Sequence, residues 1–175
     1  ESIYCIKREK SKSYLARLHR KDGTVTKISK AFGSLANLAI SPAGNRLAVS
    51  LKKEHSNWCI GLFNLSGELI KTITSGDKKN YYPQWKNKDE LLFIKEYQDS
   101  YRLASVNINN GLTRIYTDSH LPAIKFFSII PYTQDLVISY FDSNGFNLGR
   151  IHLPQLEFEN IIFEGTGARE ESGIN

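Results

Sequence analysis

The chain has 175 residues, a formal net charge of +5 and 41% hydrophobic content, which points to one domain with room for a sizeable core. No apolar run approaches the roughly 18 residues that a membrane-spanning helix needs, and two cysteines, Cys5 and Cys59, are too few for a disulfide scaffold. Most of the positive excess lies in residues 1–30, with nine Lys or Arg against three acids; this reads as a solvated outer face, so no direct nucleic-acid binding is expected of it.

Residues 1–8 read as a strand and not as a secretory leader. Residues 13–20 and 24–30 follow as strands around the turn dipeptide Asp22-Gly23. A short strand over 38–40 ends at Ser41-Pro42-Ala43-Gly44, where Pro presets φ and Gly takes the left-handed position. Residues 45–51 form the next strand, with Leu47, Val49 and Leu51 alternating against Ala48 and Ser50. Residues 52–57 are a polar loop, 58–65 a strand, Ser66-Gly67 a turn and 68–74 an outer strand. The order then repeats: a strand over 82–85, a turn over 86–90, and Leu91-Leu92-Phe93-Ile94. Four consecutive apolar residues fit a strand buried on both faces. Strands over 101–108 and 112–117 complete that copy. A fourth copy runs through 124–130, 136–141, 146–153 and 156–163. Residues 164–175 are polar and are expected to form a disordered tail or a crossover. Helical periodicity is absent, and turn signals every 8–12 residues are those of an all-β fold.

The copies share a period. Asp22-Gly23, Ser66-Gly67 and Asn110-Gly111 recur at 44 residues, as do Leu15, Cys59 and Leu103, and a fourth copy follows at 45 with Leu148 in the same column. A period in the low forties built of short strands indicates β-propeller blades. The expected fold is therefore all-β, with four-stranded antiparallel blades over 36–75, 80–118 and 123–163 and a partial blade over 1–30. Propellers cover apolar blade faces by closing a ring. An open arc would leave two such faces in water, and exposed apolar patches drive association. We expect an incomplete arc of a larger ring, able to self-associate through its open blade faces. The rival is a closed four-bladed ring completed by residues 164–175. Met is absent, including at position 1, which adds to the expectation of an excised piece. The columns holding Cys5 (with Val49, Phe93 and Ile138) and Cys59 are apolar, so both thiols are expected to be buried; a disulfide between them stays open.

Two turns carry a family resemblance. Ser41-Pro42-Ala43-Gly44-Asn45-Arg46-Leu47-Ala48 resembles the Ser-Pro-Asp-Gly-Lys-x-Leu-Ala signature of TolB-like, WD-like propeller repeats. Pro83-Gln84-Trp85 followed by Leu91-Leu92-Phe93 is similar to the same family's Pro-x-Trp-Ser-Pro-Asp-Gly-x-x-Leu-x-Phe. The departures are Ala43 for Asp, Lys86-Asn87-Lys88-Asp89 for Ser-Pro-Asp-Gly, and Ile130-Pro131-Tyr132-Thr133. The resemblance covers roughly residues 1–163. It implies one of three settings: a periplasmic TolB-like adaptor, the substrate-gating propeller of a prolyl-oligopeptidase-type peptidase, or the extracytoplasmic sensor half of a CadC-like or ToxR-like membrane-tethered transcription regulator.

Catalytic motifs are missing from the sequence. There is no Gly-x-Ser-x-Gly elbow, no His-Glu-x-x-His and no Cys-x-x-Cys. His19, His55, His120 and His152 are scattered. Asp142-Ser143-Asn144-Gly145 starts like a calcium loop but lacks the closing acid, so a β-turn is expected. Gly165-Thr166-Gly167 has no helix after it to hold an anion. No catalytic residue, cofactor or metal is expected. What remains is a binding face on the loops at one end of the blades. Tyr81, Tyr82, Tyr97 and Tyr101 fall there with Lys78, Lys79, His55 and His120. Aromatics among mixed charge suit the hot spots of a protein interface. The expected function is that of a non-enzymatic module binding a protein partner or small ligand, with the regulator's sensor domain as the preferred setting.

Overall fold

The computed structural model describes residues 2–53, 55–74, 77–117 and 122–162, with residues 161 and 162 described by backbone alone. They form four antiparallel sheets. The first contains β1 (Ser2–Glu9), β2 (Lys12–His19) and β3 (Val25–Lys27). The second contains β4 (Ser34–Ile40), β5 (Arg46–Lys52), β6 (Trp58–Asn64) and β7 (Leu69–Thr72). The third contains β8 (Asn80–Trp85), β9 (Glu90–Tyr97), β10 (Ser100–Asn107) and β11 (Leu112–Tyr116). The fourth contains β12 (Ile124–Ile129), β13 (Asp135–Asp142) and β14 (Gly145–His152).

The sheets stack face to face, and three apolar seams alternate with them. Leu15 of the first sheet meets Leu47, Val49, Leu51 and Phe63 of the second. Ala48, Ile60 and Leu62 on the second sheet's other face meet Leu91, Phe93, Ala104 and Val106 of the third. Leu92, Ile94 and Leu103 of the third meet Leu136 and Ile138 of the fourth. β5 and β9 are thus covered on both faces, which is why their apolar residues run consecutively. This is the blade stacking that the repeat predicts.

One strand departs from expectation. The segment expected as the outer strand of the fourth blade, 156–163, forms β15 (Phe158–Ile162), and it pairs with β11 of the third sheet, Tyr116 opposite Phe158 and Leu112 opposite Ile162. A short 3-10 turn, Leu153–Gln155, starts the crossing; Leu153 is buried there and Pro154 opens the turn. The third sheet therefore has five strands and the fourth three. The sequence shows a strand but not its partner, because either edge satisfies its backbone groups.

Among the described residues no strand covers either end of the stack. Val137, Phe141, Phe146 and Leu148 lie exposed on the outward face of the fourth sheet, where Phe146 pairs with Phe141 and Leu148 with Ser139. The repeat shows what this means. Leu15 and Leu103 are 0% exposed in their seams, while Leu148 in the same column is 77% exposed. On the first sheet the open face carries Ile3, Val25 and Cys5. Cys5 is half-buried, a departure from the expected burial, whereas Cys59 is buried; both thiols are free. Two lysines of the first sheet pair at the surface: Lys7 and Lys27 both contact Glu9, and Lys27 sits 4.3 Å from the Tyr14 ring centroid. The expected tail 164–175 lies outside the described residues. Among the described residues no helix is long and apolar enough to cross a membrane.

Candidate functional site

The first strand of each of the last three sheets, β4, β8 and β12, is bulged near its start, at Ala36/Leu38, Tyr81/Gln84 and Ile124/Phe126. Bulges re-aim side chains and recur beside functional sites. Two bulge residues are left-handed, Asn37 at φ 48° and Tyr82 at φ 63°. Asn tolerates this conformation, but Tyr does so at a cost of about 1–2 kcal/mol. The surroundings hold it there. The Tyr82 amide donates to Ser50 Oγ at 3.0 Å, and the Ser50 hydroxyl in turn reaches Asn37 Oδ1 at 3.4 Å. The Tyr82 ring packs edge-on against Phe126 and Phe127, at 5.3 and 5.8 Å between centroids.

Side chains also stitch these strands across the sheets. Trp85 Nε1 donates to the Ala39 carbonyl of β4 at 3.2 Å. Gln84 spans to β12, donating through Nε2 to the Phe127 carbonyl at 2.6 Å and accepting from the Ile129 amide at 3.3 Å. Between the strands lies a groove of about 490 Å³ walled by Ile40, Pro42, Tyr82, Pro83, Trp85 and Ile129. Its lining holds no titratable acid, base or thiol apart from the Tyr82 phenol. Such a surface binds by shape, apolar contact and a few fixed amides.

The loop residues named from sequence are dispersed. Tyr81 and Tyr101 meet edge-on at 5.8 Å and pack against the seam between the third and fourth sheets. Burial, helped by Tyr101 and Glu96, pushes the Tyr81 phenol up to about 12. Lys79 joins them through Glu96, its Nζ 3.8 Å from that carboxylate and its amide donating to the same group. Tyr97 points the other way, donating its hydroxyl to Glu159 of β15 at 2.7 Å; this hydrogen bond, then burial, raises its pKa. Tyr82 belongs to the groove. His55 is exposed at a left-handed loop position and Lys78 is exposed near Asn80, whose side-chain amide donates to the Lys78 carbonyl at 2.8 Å. His120 lies outside the described residues. The loop 55–57 is tied to the next sheet's entry by Asn57 Nδ2 donating to the Asp77 carbonyl at 3.0 Å.

Sequence reasoning missed the groove and the buried Lys95, whose Nζ lies 3.5 Å from Asn80 Oδ1 and whose pKa is lowered by burial. A signal for the groove was present: Tyr81-Tyr82-Pro83 breaks the strand alternation one period after Asn37. Asp142 does form a turn, its Oδ1 accepting from the Asn144 amide at 2.8 Å and from Asn147 Nδ2 at 3.0 Å. Among the described residues no three His, Cys, Asp or Glu side chains converge on a point that could hold a metal.

No protein-family model and no curated protein matches the chain. Solved structures do. TolB from Acinetobacter baumannii superposes with a TM-score of 0.71 at 13% identity, over 92% of this chain and 40% of that one. A chain of the nidogen/laminin complex gives 0.65 at 12%, over 82% of this chain and 54% of that one. A puromycin hydrolase gives 0.61 at 12%, over 85% of this chain and 26% of that one. The chain therefore spans well under two thirds of each of these three. Identities this low carry the architecture and nothing finer. With its stacked antiparallel sheets and their shared period, the chain has a TolB-like β-propeller-type fold.

Proposed function

We propose that this chain is a non-enzymatic binding module of the propeller type. The observation that carries this reading is the groove at the first strands, where a left-handed Tyr82 is held beside apolar walls by its amide hydrogen bond to Ser50 of the second sheet and by ring packing on Phe126 and Phe127 of the fourth. Strain of this kind, over-determined by its surroundings, collects at ligand-binding positions. The partner is an extended segment of another protein, running along the groove towards the loops that carry Lys78, Lys79, Tyr97 and His55. One structural neighbour is a chain of the nidogen/laminin complex, a protein–protein assembly, which agrees with this class of role. The open end faces are a second contact surface, for a further blade or a second copy.

The setting we favour is the extracytoplasmic sensor half of a membrane-tethered bacterial transcription regulator; this rests on the repeat resemblance alone, as does a periplasmic location. A periplasmic adaptor fits the same groove. A substrate-filtering propeller of a serine peptidase is the different-class reading, favoured by the likeness to puromycin hydrolase. The flanking reading frame separates them through a winged helix and membrane anchor, a signal peptide, or a hydrolase domain.

Selection of a displayed random peptide library against the chain tests the binding reading. Selected peptides should lose about tenfold or more in affinity on Ile40→Asp or Trp85→Ala, and less on Lys78→Ala or Tyr97→Ala. Peptides indifferent to all four changes, on variants that melt normally, would remove the groove and the loop end together.

A further inference from the structure

We propose a second ligand site, in the corner between the third and fourth sheets, at the end of the stack that carries the turns 86–89 and 130–134. It is a consequence of the β15 crossing. Because the chain leaves β14 through Leu153–Gln155 and pairs with β11, the described residues give the fourth sheet no fourth strand to cover the outer part of the third. Two adjoining cavities remain there, of about 330 and 200 Å³, sharing Lys86, Gln134 and Leu153 as lining. Arg114, Tyr116, Pro154 and Phe158 close the outer one.

The charges in this corner do not balance. Lys86 Nζ lies 2.9 Å from the Glu90 carboxylate. The Arg114 guanidinium stacks 5.0 Å from the Phe158 ring centroid and has no carboxylate partner among the described residues. Two cations against one carboxylate leave a single positive charge beside Tyr116, Leu153, Pro154 and Phe158. A guanidinium stacked on an aromatic face keeps its in-plane N–H donors free for a planar anion. Gln134 adds an amide that can donate or accept. The fitting ligand is therefore a carboxylate monoanion on a compact apolar body, either a free aryl carboxylate or the C-terminal residue of a peptide. The volume suits one large side chain more than an extended segment. This site shares only Ile129 with the first-strand groove, so the two readings fail separately.

Binding to the 175-residue chain is measured by calorimetry and by the Arg114 Nε–H resonance, with three probes: N-acetyl-phenylalanine, its primary amide, and the tripeptide Ala-Ala-Phe with a free C-terminus. The free acid should bind at least tenfold more tightly than the amide. Arg114→Gln should lower its affinity about tenfold, and Lys86→Gln several-fold, as expected for losing a charge-assisted contact. Lys86→Gln serves as the second variant should Arg114→Gln disturb β15, with thermal melts checking both. A tripeptide tighter than the free acid identifies a peptide C-terminus; equal affinities identify a free carboxylate. Equal binding of acid and amide, no binding by about 10 mM probe, or unchanged affinity in both variants would overturn the proposal.

Discussion

Two glycines of the second sheet isolate the seam it makes with the first. Gly44 closes the β4–β5 turn at φ +67° and Gly67 the β6–β7 turn at φ +83°. Both sit where an L side chain is strained, so alanine at either should cost about 1 kcal/mol from the backbone alone. Their surroundings differ. A Cβ on Gly44 would meet nothing within 4 Å, whereas one on Gly67 would lie 2.3 Å from the Ile28 carbonyl oxygen and 2.8 Å from the Ser29 nitrogen. Those atoms are backbone, so the first sheet's exit must move. Ile28 packs on the seam with Leu15, Leu47 and Phe63, and its amide donates to the Leu15 carbonyl at 2.9 Å. Displacing it adds an overpacking cost of about 1–3 kcal/mol. For a chain of this size Gly44→Ala should then lower Tm by about 2–4 °C and Gly67→Ala by about 4–16 °C. Thermal unfolding followed by circular dichroism reads both. Equal losses at the two positions would refute the close approach of the first two sheets at Ile28.

Two pH effects follow from named contacts. Tyr81, pushed up to about 12 by burial, Tyr101 and Glu96, should give a late-titrating step in the phenolate absorbance that disappears in Tyr81→Phe; its persistence in that variant would assign it elsewhere. Asp135 is held below its ordinary value of 3.8, first by hydrogen bonds from Arg150 and then by His152. A lowered carboxylate pKa contributes stability that is present above the unfolded value and is lost as pH falls through the folded one. Asp135→Asn should therefore destabilise at neutral pH, and the gap from the native chain should shrink below pH 3.8; a gap constant across that range would show that the cluster adds nothing through charge.

Strand positions were legible because the sheets are built from local signals. Gly44 and Gly67 mark turns, Leu47, Val49 and Leu51 alternate, and Leu91 to Ile94 run apolar through a strand covered on both faces. The partner of β15 was not legible, since strand pairing is decided by which edge is free and not by the strand's own residues. The loop tyrosines illustrate a second limit. Tyr81 and Tyr101 are needed by the seam, Tyr97 by β15 and Tyr82 by the bulge, so four aromatics close in sequence serve three places. Composition locates them near a surface, but only pairing register shows which way each ring turns.

Sedimentation equilibrium of the 175-residue chain, native and with Leu148→Glu, tests directly whether the blade sheets stack with an uncovered face on the fourth sheet. Leu148 is 77% exposed where its repeat equivalents Leu15 and Leu103 are 0% exposed. The native chain should associate with rising concentration, Leu148→Glu should abolish this with no loss of Tm, and Leu103→Glu should unfold the protein. A native chain that stays monomeric and binds no apolar dye, or a Leu148→Glu variant that unfolds, would contradict this arrangement.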